Sequence, residues 1–201
     1  QTLVCRQYLH GGWLRGITDG MFLNEKRALN EFEVTVYLQE KRFPVISPFG
    51  FIAEKRPVAK KLFFLSVFLE NAIDLMDYFR FAGQRERLRI TKELAVQLFK
   101  MGELGVYHPD MHLRNVLVTA EKKLCFLDFD KAYRKEITPE DHEKMFWRLD
   151  RYVRKYSDLS GRSVNEMERA MFLRTYGRLS GQDIIRSMKD KRRKMERSSR
   201  L

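Results

Sequence analysis

His108-Pro-Asp-Met-His-Leu-Arg-Asn115 is followed by Leu127-Asp-Phe-Asp130, with Asp128 thirteen residues beyond Asn115. The first stretch reads H-x-D-x-x-x-x-N. Phosphoryl transfer on a kinase scaffold needs a carboxylate to meet the attacking hydroxyl. It also needs an amide oxygen and a second carboxylate to hold metal ions on the nucleotide phosphates. Asp110, Asn115 and Asp128 supply these three groups in that order. A lone D-x-x-x-x-N is common by chance; both halves at this spacing, separated by strand formers, are a stronger signal. Val116-Leu-Val118 and Leu124-Cys-Phe-Leu127 are short apolar runs on either side of the polar Ala120-Glu-Lys-Lys123. The pattern predicts a hairpin, with Asn115 just before its first strand and Asp128 just after its second. Both oxygen ligands then reach one sheet edge, as a Mg²⁺ site fed from separate loops requires.

Such a scaffold should carry a cation on an upstream strand and an acid on the helix after it. Thr2-Leu-Val-Cys-Arg6-Gln-Tyr8 reads as the strand, with Arg6 as the cation. Asn24 to Lys41 reads as the helix, through the roughly helical spacing of Ala28, Leu29, Phe32, Val36, Tyr37 and Leu38, and Pro44 marks a stop beyond it. Glu31 is preferred to Glu33 as the partner of Arg6, the alternative being that both acids are solvated. His108 is assigned to support of the loop backbone. His112, two residues after the catalytic Asp110, resembles the loops of small-molecule kinases such as the aminoglycoside and choline phosphotransferases. It therefore favours a non-protein acceptor, against the plain alternative of a surface histidine.

The remainder fits one body. Leu62 to Leu69 is the longest apolar run and is interrupted by Ser66. It is far short of the roughly 20 residues that span a bilayer. It reads as a buried strand entering a hinge at Leu69-Glu-Asn71-Ala72, where Leu69 and Asn71 are candidates for contact with a nucleotide base. Helices are expected over Asp74–Phe81, Arg85–Leu104 and Pro139 to about Tyr156, the last capped by Thr138 with Asp141 at N3. A turn over Ser157–Arg162 and helices over Ser163–Tyr176 and Gly181–Met188 should follow. Cys5 and Cys125 lie in strand-like runs without metal-ligand spacing and read as small buried hydrophobes in a reducing compartment. Lys and Arg number 39 against 27 Asp and Glu, a net charge of +12, and the chain ends in a basic tail over Lys189–Leu201. A surface of that sign attracts phosphates and anionic lipids.

The quoted residues extend into a family resemblance. Arg6-Gln-Tyr-Leu-His-Gly-Gly12, Glu31-Phe32, Phe43-Pro-Val45, His108-x-Asp110 through Asn115-Val-Leu117, and Leu127-Asp-Phe-Asp-Lys131 resemble the lipopolysaccharide kinase family over most of residues 2 to 155. Within the family they are most like the 3-deoxy-D-manno-octulosonic acid (Kdo) kinase branch. The resemblance implies an α+β, protein-kinase-like two-lobed fold. One kinase-like domain would span 1–201, with a small sheet lobe over 1–70, a larger helical lobe over 71–188 and the tail over 189–201. It implies ATP and Mg²⁺ as cofactors and Asp110 as the catalytic residue. Arg6, Glu31, Leu69 and Asn71 would act in nucleotide binding, Asn115 and Asp128 as metal ligands, and His108 and His112 in support. The acceptor implied is a hydroxyl of Kdo on a lipid A precursor. The place is the cytoplasmic face of the bacterial inner membrane, held peripherally by anionic lipid, with no nucleic-acid partner. The family keeps a glycine-rich hairpin before the Arg6 strand. The sequence starts at Gln1, so the sheet lobe is expected to be truncated. Asp130 stands where protein kinases have the glycine of D-F-G, as in the Kdo kinases, and suggests a less mobile segment after the metal ligand. Three other readings stay open from the residues: another small-molecule or sugar kinase of this fold, a pseudokinase binding module, and a basic nucleic-acid-binding protein.

Overall fold

The computed structural model describes residues 2–9, 20–160, 164–181 and 186. The apolar run at 62–69 forms the centre of the N-terminal sheet. Strand β4 (Lys60–Val67) alternates, with Leu62, Phe64 and Ser66 turned inward. One edge of β4 pairs antiparallel with β3 (Pro48–Lys55) along its length. The other edge pairs with β1 (Leu3–Gln7) and, beyond it, with β2 (Met21–Phe22). Helix α1 (Lys26–Glu40) covers the inner face and buries Ala28, Glu31, Val34, Thr35 and Leu38. A small core of Tyr8, Ala28, Leu62 and Phe64 fills the space between sheet and helix. Cys125 is buried as expected but Cys5 is exposed, and both are free thiols. The reason is positional: β1 is an edge strand whose residues Leu3 to Cys5 lie on the surface.

Where α1 ends, the backbone passes through Arg42 at φ +55 and runs into Phe43-Pro-Val45. These residues pair in parallel with the site hairpin: Phe126 donates its N–H to the Pro44 carbonyl at 2.8 Å and accepts from Ile46 at 3.0 Å. The ring of Phe43 packs on that of Phe126 at 5.0 Å.

The rest of the described chain is mainly helical. After β5 (Ile73–Asp74) come α2 (Leu75–Phe81) and α3 (Gln84–Glu103), then β6 (Val106–Tyr107) and a single 3₁₀ turn (Leu113–Asn115). The hairpin β7 (Val116–Val118) and β8 (Leu124–Phe126) follows, then β9 (Tyr133–Arg134), which pairs with β6. Helices α4 (Pro139–Ser160) and α5 (Glu166–Ser180) complete the body. Local chemistry sets the helix starts. Asp74 accepts the Asp77 N–H at 2.9 Å at the start of α2. Thr138 and Asp141 exchange backbone and side-chain bonds at the start of α4, a reciprocal cap. One contiguous core joins α1, α2, α3, the hairpin, α4 and α5 through residues such as Leu38, Phe79, Leu94, Met101, Phe126, Phe129, Leu149 and Phe172. Five α-helices and three small sheets make up the described residues. None of those helices is long and apolar enough to cross a membrane.

Two expected boundaries move. The turn at Ser157 does not form, because α4 continues to Ser160. The following helix begins at Glu166, where Asn165 accepts the Met167 and Glu168 N–H groups and Glu168 reaches back to the Asn165 N–H at 2.8 Å. It runs on to Ser180 and stops at Gly181, which sits at φ +64 as its C-cap. The rest of the helix expected over Gly181–Met188 lies outside the described residues apart from Arg186, which is helical. The basic tail and His10-Gly-Gly12 lie wholly outside them.

Glu168 also joins α5 to α3. Fully buried, it accepts from Arg87 at 2.5 and 2.8 Å, while the same guanidinium donates to the Phe79 carbonyl at 2.9 Å. Removing one member of a buried pair strands the other charge. Arg87→Met is expected to lower unfolding stability by about 3 kcal/mol, with part of that loss recovered by adding Glu168→Gln. Urea denaturation of the parent and the two variants is the check. An unchanged midpoint for Arg87→Met would show that Glu168 does not depend on it.

Candidate active site

The hairpin delivers its two flanking residues to one edge. Leu127 donates its N–H to the Asn115 carbonyl at 2.8 Å, one rung beyond the Val116–Phe126 pair. Asn115 is buried, and its side-chain N–H group reaches the Asp110 carbonyl at 3.3 Å. That leaves the amide oxygen as the group able to take a cation. Asp128 adopts φ +61, a left-handed conformation costly for a residue with a Cβ. The turn at once redirects the chain, so that Phe129 enters the core while Asp128 stays at the site.

Arg6, on the sheet, reaches across to both acids. Its Nη2 donates to both Glu31 carboxylate oxygens at 2.6 Å, and its Nη1 lies 3.4 Å from Asp128 Oδ1. Tyr8, two residues on and therefore on the same strand face, donates its hydroxyl to Glu31 and lies under the Arg6 guanidinium at 4.9 Å. Glu31 is buried and Glu33 is not part of this network. Burial works against the Arg6 charge, but Glu31 and Asp128 more than offset it and raise its pKa. Burial pushes the Asp128 carboxyl above its ordinary range; Arg6 opposes that, and the nearby Asp130 and Asp110 reinforce it. Asp128 Oδ1 is buried without a hydrogen bond. A carboxylate oxygen that faces Arg6 at 3.4 Å yet takes no hydrogen bond, beside other acids, is a fitting ligand for a divalent cation. Among the described residues no three His, Cys, Asp or Glu side chains form a metal cage. Mg²⁺ does not require one when substrate phosphates supply the remaining oxygens.

Asp110 lies in the loop before the 3₁₀ turn, partly exposed. Lys131 Nζ donates to its Oδ2 at 2.7 Å, and Arg148, from α4, donates to its Oδ1. Burial would raise its pKa, but these two cations outweigh that and hold it at about 2. His108 is fully buried against the Phe129 ring, 5.1 Å between centroids, and burial pushes its pKa down to about 4. It is thus neutral and packed between the Asp110 loop and the segment that follows Asp128. His112 stacks on Tyr152 of α4 at 4.5 Å, and burial lowers its pKa as well. Asp130 pairs with Arg27 of α1, a partner absent from sequence reasoning.

The structure therefore brings Arg6, Glu31, Asp110, Asn115 and Asp128 into one network. Leu69 and Asn71 share no hydrogen bond or ion pair with it among the described residues; Leu69 follows β4 and Asn71 turns the exposed link at φ +55. Sequence reasoning quoted Tyr8 and Lys131 among the family-like residues without giving either a role at the site, and it missed Arg148. The i, i+2 spacing of Arg6 and Tyr8 on a strand could have found the first. Arg148 is one basic residue among several on α4 and carried no signal.

A sheet-borne cation is thus paired with a helix acid, beside a loop carboxylate and the two polar residues that flank the hairpin. The chain belongs to the lipopolysaccharide kinase (Kdo/WaaP) family, whose model matches residues 1–176. It is similar to the 3-deoxy-D-manno-octulosonic acid kinase of Vibrio vulnificus strain YJ016, 26% identical over 136 residues, 66% of this chain and 57% of that protein. It is also similar to the protein of the same name from Xanthomonas oryzae pv. oryzae strain PXO99A, 26% identical over 168 residues, 81% of this chain and 66% of that protein. The chain thus spans between about half and two thirds of the length of these curated relatives.

Proposed function

We propose that the protein transfers the γ-phosphate of ATP to a hydroxyl of Kdo on a lipid A precursor, within a two-lobed kinase body hinged at Leu69–Ala72. The observation that carries this reading is the Arg6–Glu31–Asp128 ion-pair chain set beside Asp110 and Asn115. The names of the relatives support the acceptor. In this reading Asp110 accepts the hydrogen bond of the attacking hydroxyl and takes its proton late. Arg6, fixed by Glu31 and Tyr8, steadies the α- and β-phosphates. Asn115 and Asp128 hold Mg²⁺, which supplies neutralisation of charge on the phosphate oxygens. His108 and His112 keep the loop in place, and Leu69 and Asn71 offer backbone groups to the adenine edge. The full-length protein, ATP, Mg²⁺ and Kdo-lipid A precursor should give a lipid heavier by one phosphate in mass spectrometry. An unchanged lipid mass would sink the reading.

The place of action is proposed as an anionic membrane surface, supported by the +12 charge and the run Lys191-Arg-Arg-Lys194. Deleting residues 189–201 should weaken binding to anionic vesicles, since each basic residue near such a surface is worth about 1 kcal/mol. The difference should shrink with salt as the screening length falls below about 8 Å. Phosphorylation of a soluble Kdo analogue should stay unchanged. Vesicle co-sedimentation at two salt concentrations is the check, and binding indifferent to deletion and salt would leave the tail without this role.

A further inference from the structure

Asp110 cannot greet an acceptor as it stands. One carboxylate oxygen holds Lys131 and the other holds Arg148, and among the described residues neither cation has another acidic partner. Two cations thus share one carboxylate. The arrangement is built in: Arg148 rises from α4 one turn before Tyr152, whose ring is stacked on His112. Two polar atoms around this cluster are also buried without a hydrogen-bond partner, Arg148 Nε and His112 Nδ1. A buried guanidinium N–H with nothing to donate to is costly unless a ligand completes it. The cluster is centred on Asp110, whereas Arg6 is held by Glu31 and Asp128.

We propose that Lys131 and Arg148 form a two-cation subsite for the carboxylate of an acidic sugar acceptor, and that binding of this carboxylate draws them off Asp110 and frees it for the acceptor's hydroxyl. This rests on the kinase reading of Asp110 given above. Arg148 suits a planar carboxylate because its Nη and Nε donors present a fork; Lys131, more than half exposed, can swing between Asp110 and the ligand. A neutral sugar supplies no counter-charge and leaves the cations on Asp110. The subsite thus makes the enzyme selective for acids through release of its own base.

The test separates this inference from the reaction itself. Calorimetric titration of the full-length protein, without ATP, compares Kdo with its carboxamide, in the parent, Lys131→Met and Lys131→Met/Arg148→Met. The parent is expected to bind the acid about 10–100-fold more tightly than the amide, the worth of a charge-assisted hydrogen-bond pair. The ratio should fall in Lys131→Met, an exposed position whose change leaves the fold intact, and approach unity in the double variant. In steady state the variants should raise the acceptor KM and leave the ATP KM within about 3-fold. An acid-to-amide ratio equal in parent and variants overturns the subsite. So does a loss that falls on the ATP KM with acid preference retained, which would give the cations to the γ-phosphate. A parent that discriminates acid from amide yet adds no phosphate to Kdo-lipid would overturn the reaction and leave the subsite standing.

Discussion

Asp110→Asn is expected to bind ATP as the parent does and to phosphorylate the acceptor at least about 10²-fold more slowly, the scale of a lost positioned base. The carboxylate is ionised at any working pH, because Lys131 and Arg148 hold its pKa at about 2. In the proposed reaction its value is geometric and electrostatic: it would fix the hydroxyl in line and carry the negative charge that receives the proton as the bond to phosphorus forms. Asparagine keeps the size and one acceptor oxygen but neither the charge nor the proton affinity. The substitution also leaves two cations facing each other, so the comparison is made on protein whose thermal unfolding matches the parent. Single-turnover rates, with nucleotide affinity measured separately, give the result. Turnover near that of the parent would remove Asp110 from the reaction.

The second large effect lies at Asp128. Asp128→Asn and Asp128→Ala should each weaken Mg²⁺-dependent nucleotide binding by about 10-fold or more, since even residues behind a metal ligand reach that scale. Metal-free nucleotide binding should barely change. The pair of variants is needed because of the backbone. At φ +61 asparagine is tolerated nearly as well as aspartate, while alanine bears an additional penalty of about 1–2 kcal/mol in stability. A metal role predicts that both variants lose Mg²⁺ dependence alike although only alanine loses stability. Nucleotide titrations with and without Mg²⁺ decide it; equal Mg²⁺ dependence in parent and variants would take Asp128 out of the metal site.

The sequence was most legible where function forces unusual residues into a fixed order. The hairpin, the flanking positions of Asn115 and Asp128, and the choice of Glu31 over Glu33 followed from polar residues set against apolar runs. The fold agrees because burial selects the same alternation: Glu31 faces the sheet with Ala28, Val34 and Leu38. Capping chemistry was equally readable at Thr138 and Asp141. Boundaries without such chemistry were not. Ser157 looks like a turn, yet α4 runs through it to Ser160. Asn165 is the true start of α5, and its signature is the Glu168 three residues on, which sequence reading had passed over. Long-range ion pairs were the least visible of all. Nothing local marks Arg148 as the partner of Asp110, Arg27 as that of Asp130, or Arg87 as that of Glu168, because a salt bridge between distant elements depends on where the chain brings them.

The parallel bridge between Pro44–Ile46 and β8 has a mechanical consequence. Helix α1 is sewn to the helical body by that bridge, by Tyr37 to the Leu104 carbonyl, by Asn30 to the Ala132 carbonyl and by Arg27 to Asp130. To the sheet it is held by Glu31 to Arg6 and Tyr8, by Glu25 to Lys60, by Arg27 to the Leu9 carbonyl and by the ring of Phe32 against that of Phe51. The helix is therefore the strap that couples the sheet to the hairpin. Arg6 and Tyr8 act as its latch: a displacement of the sheet from the hairpin has to lengthen their bonds to Glu31, while the rung between Leu127 and Asn115 stays in register.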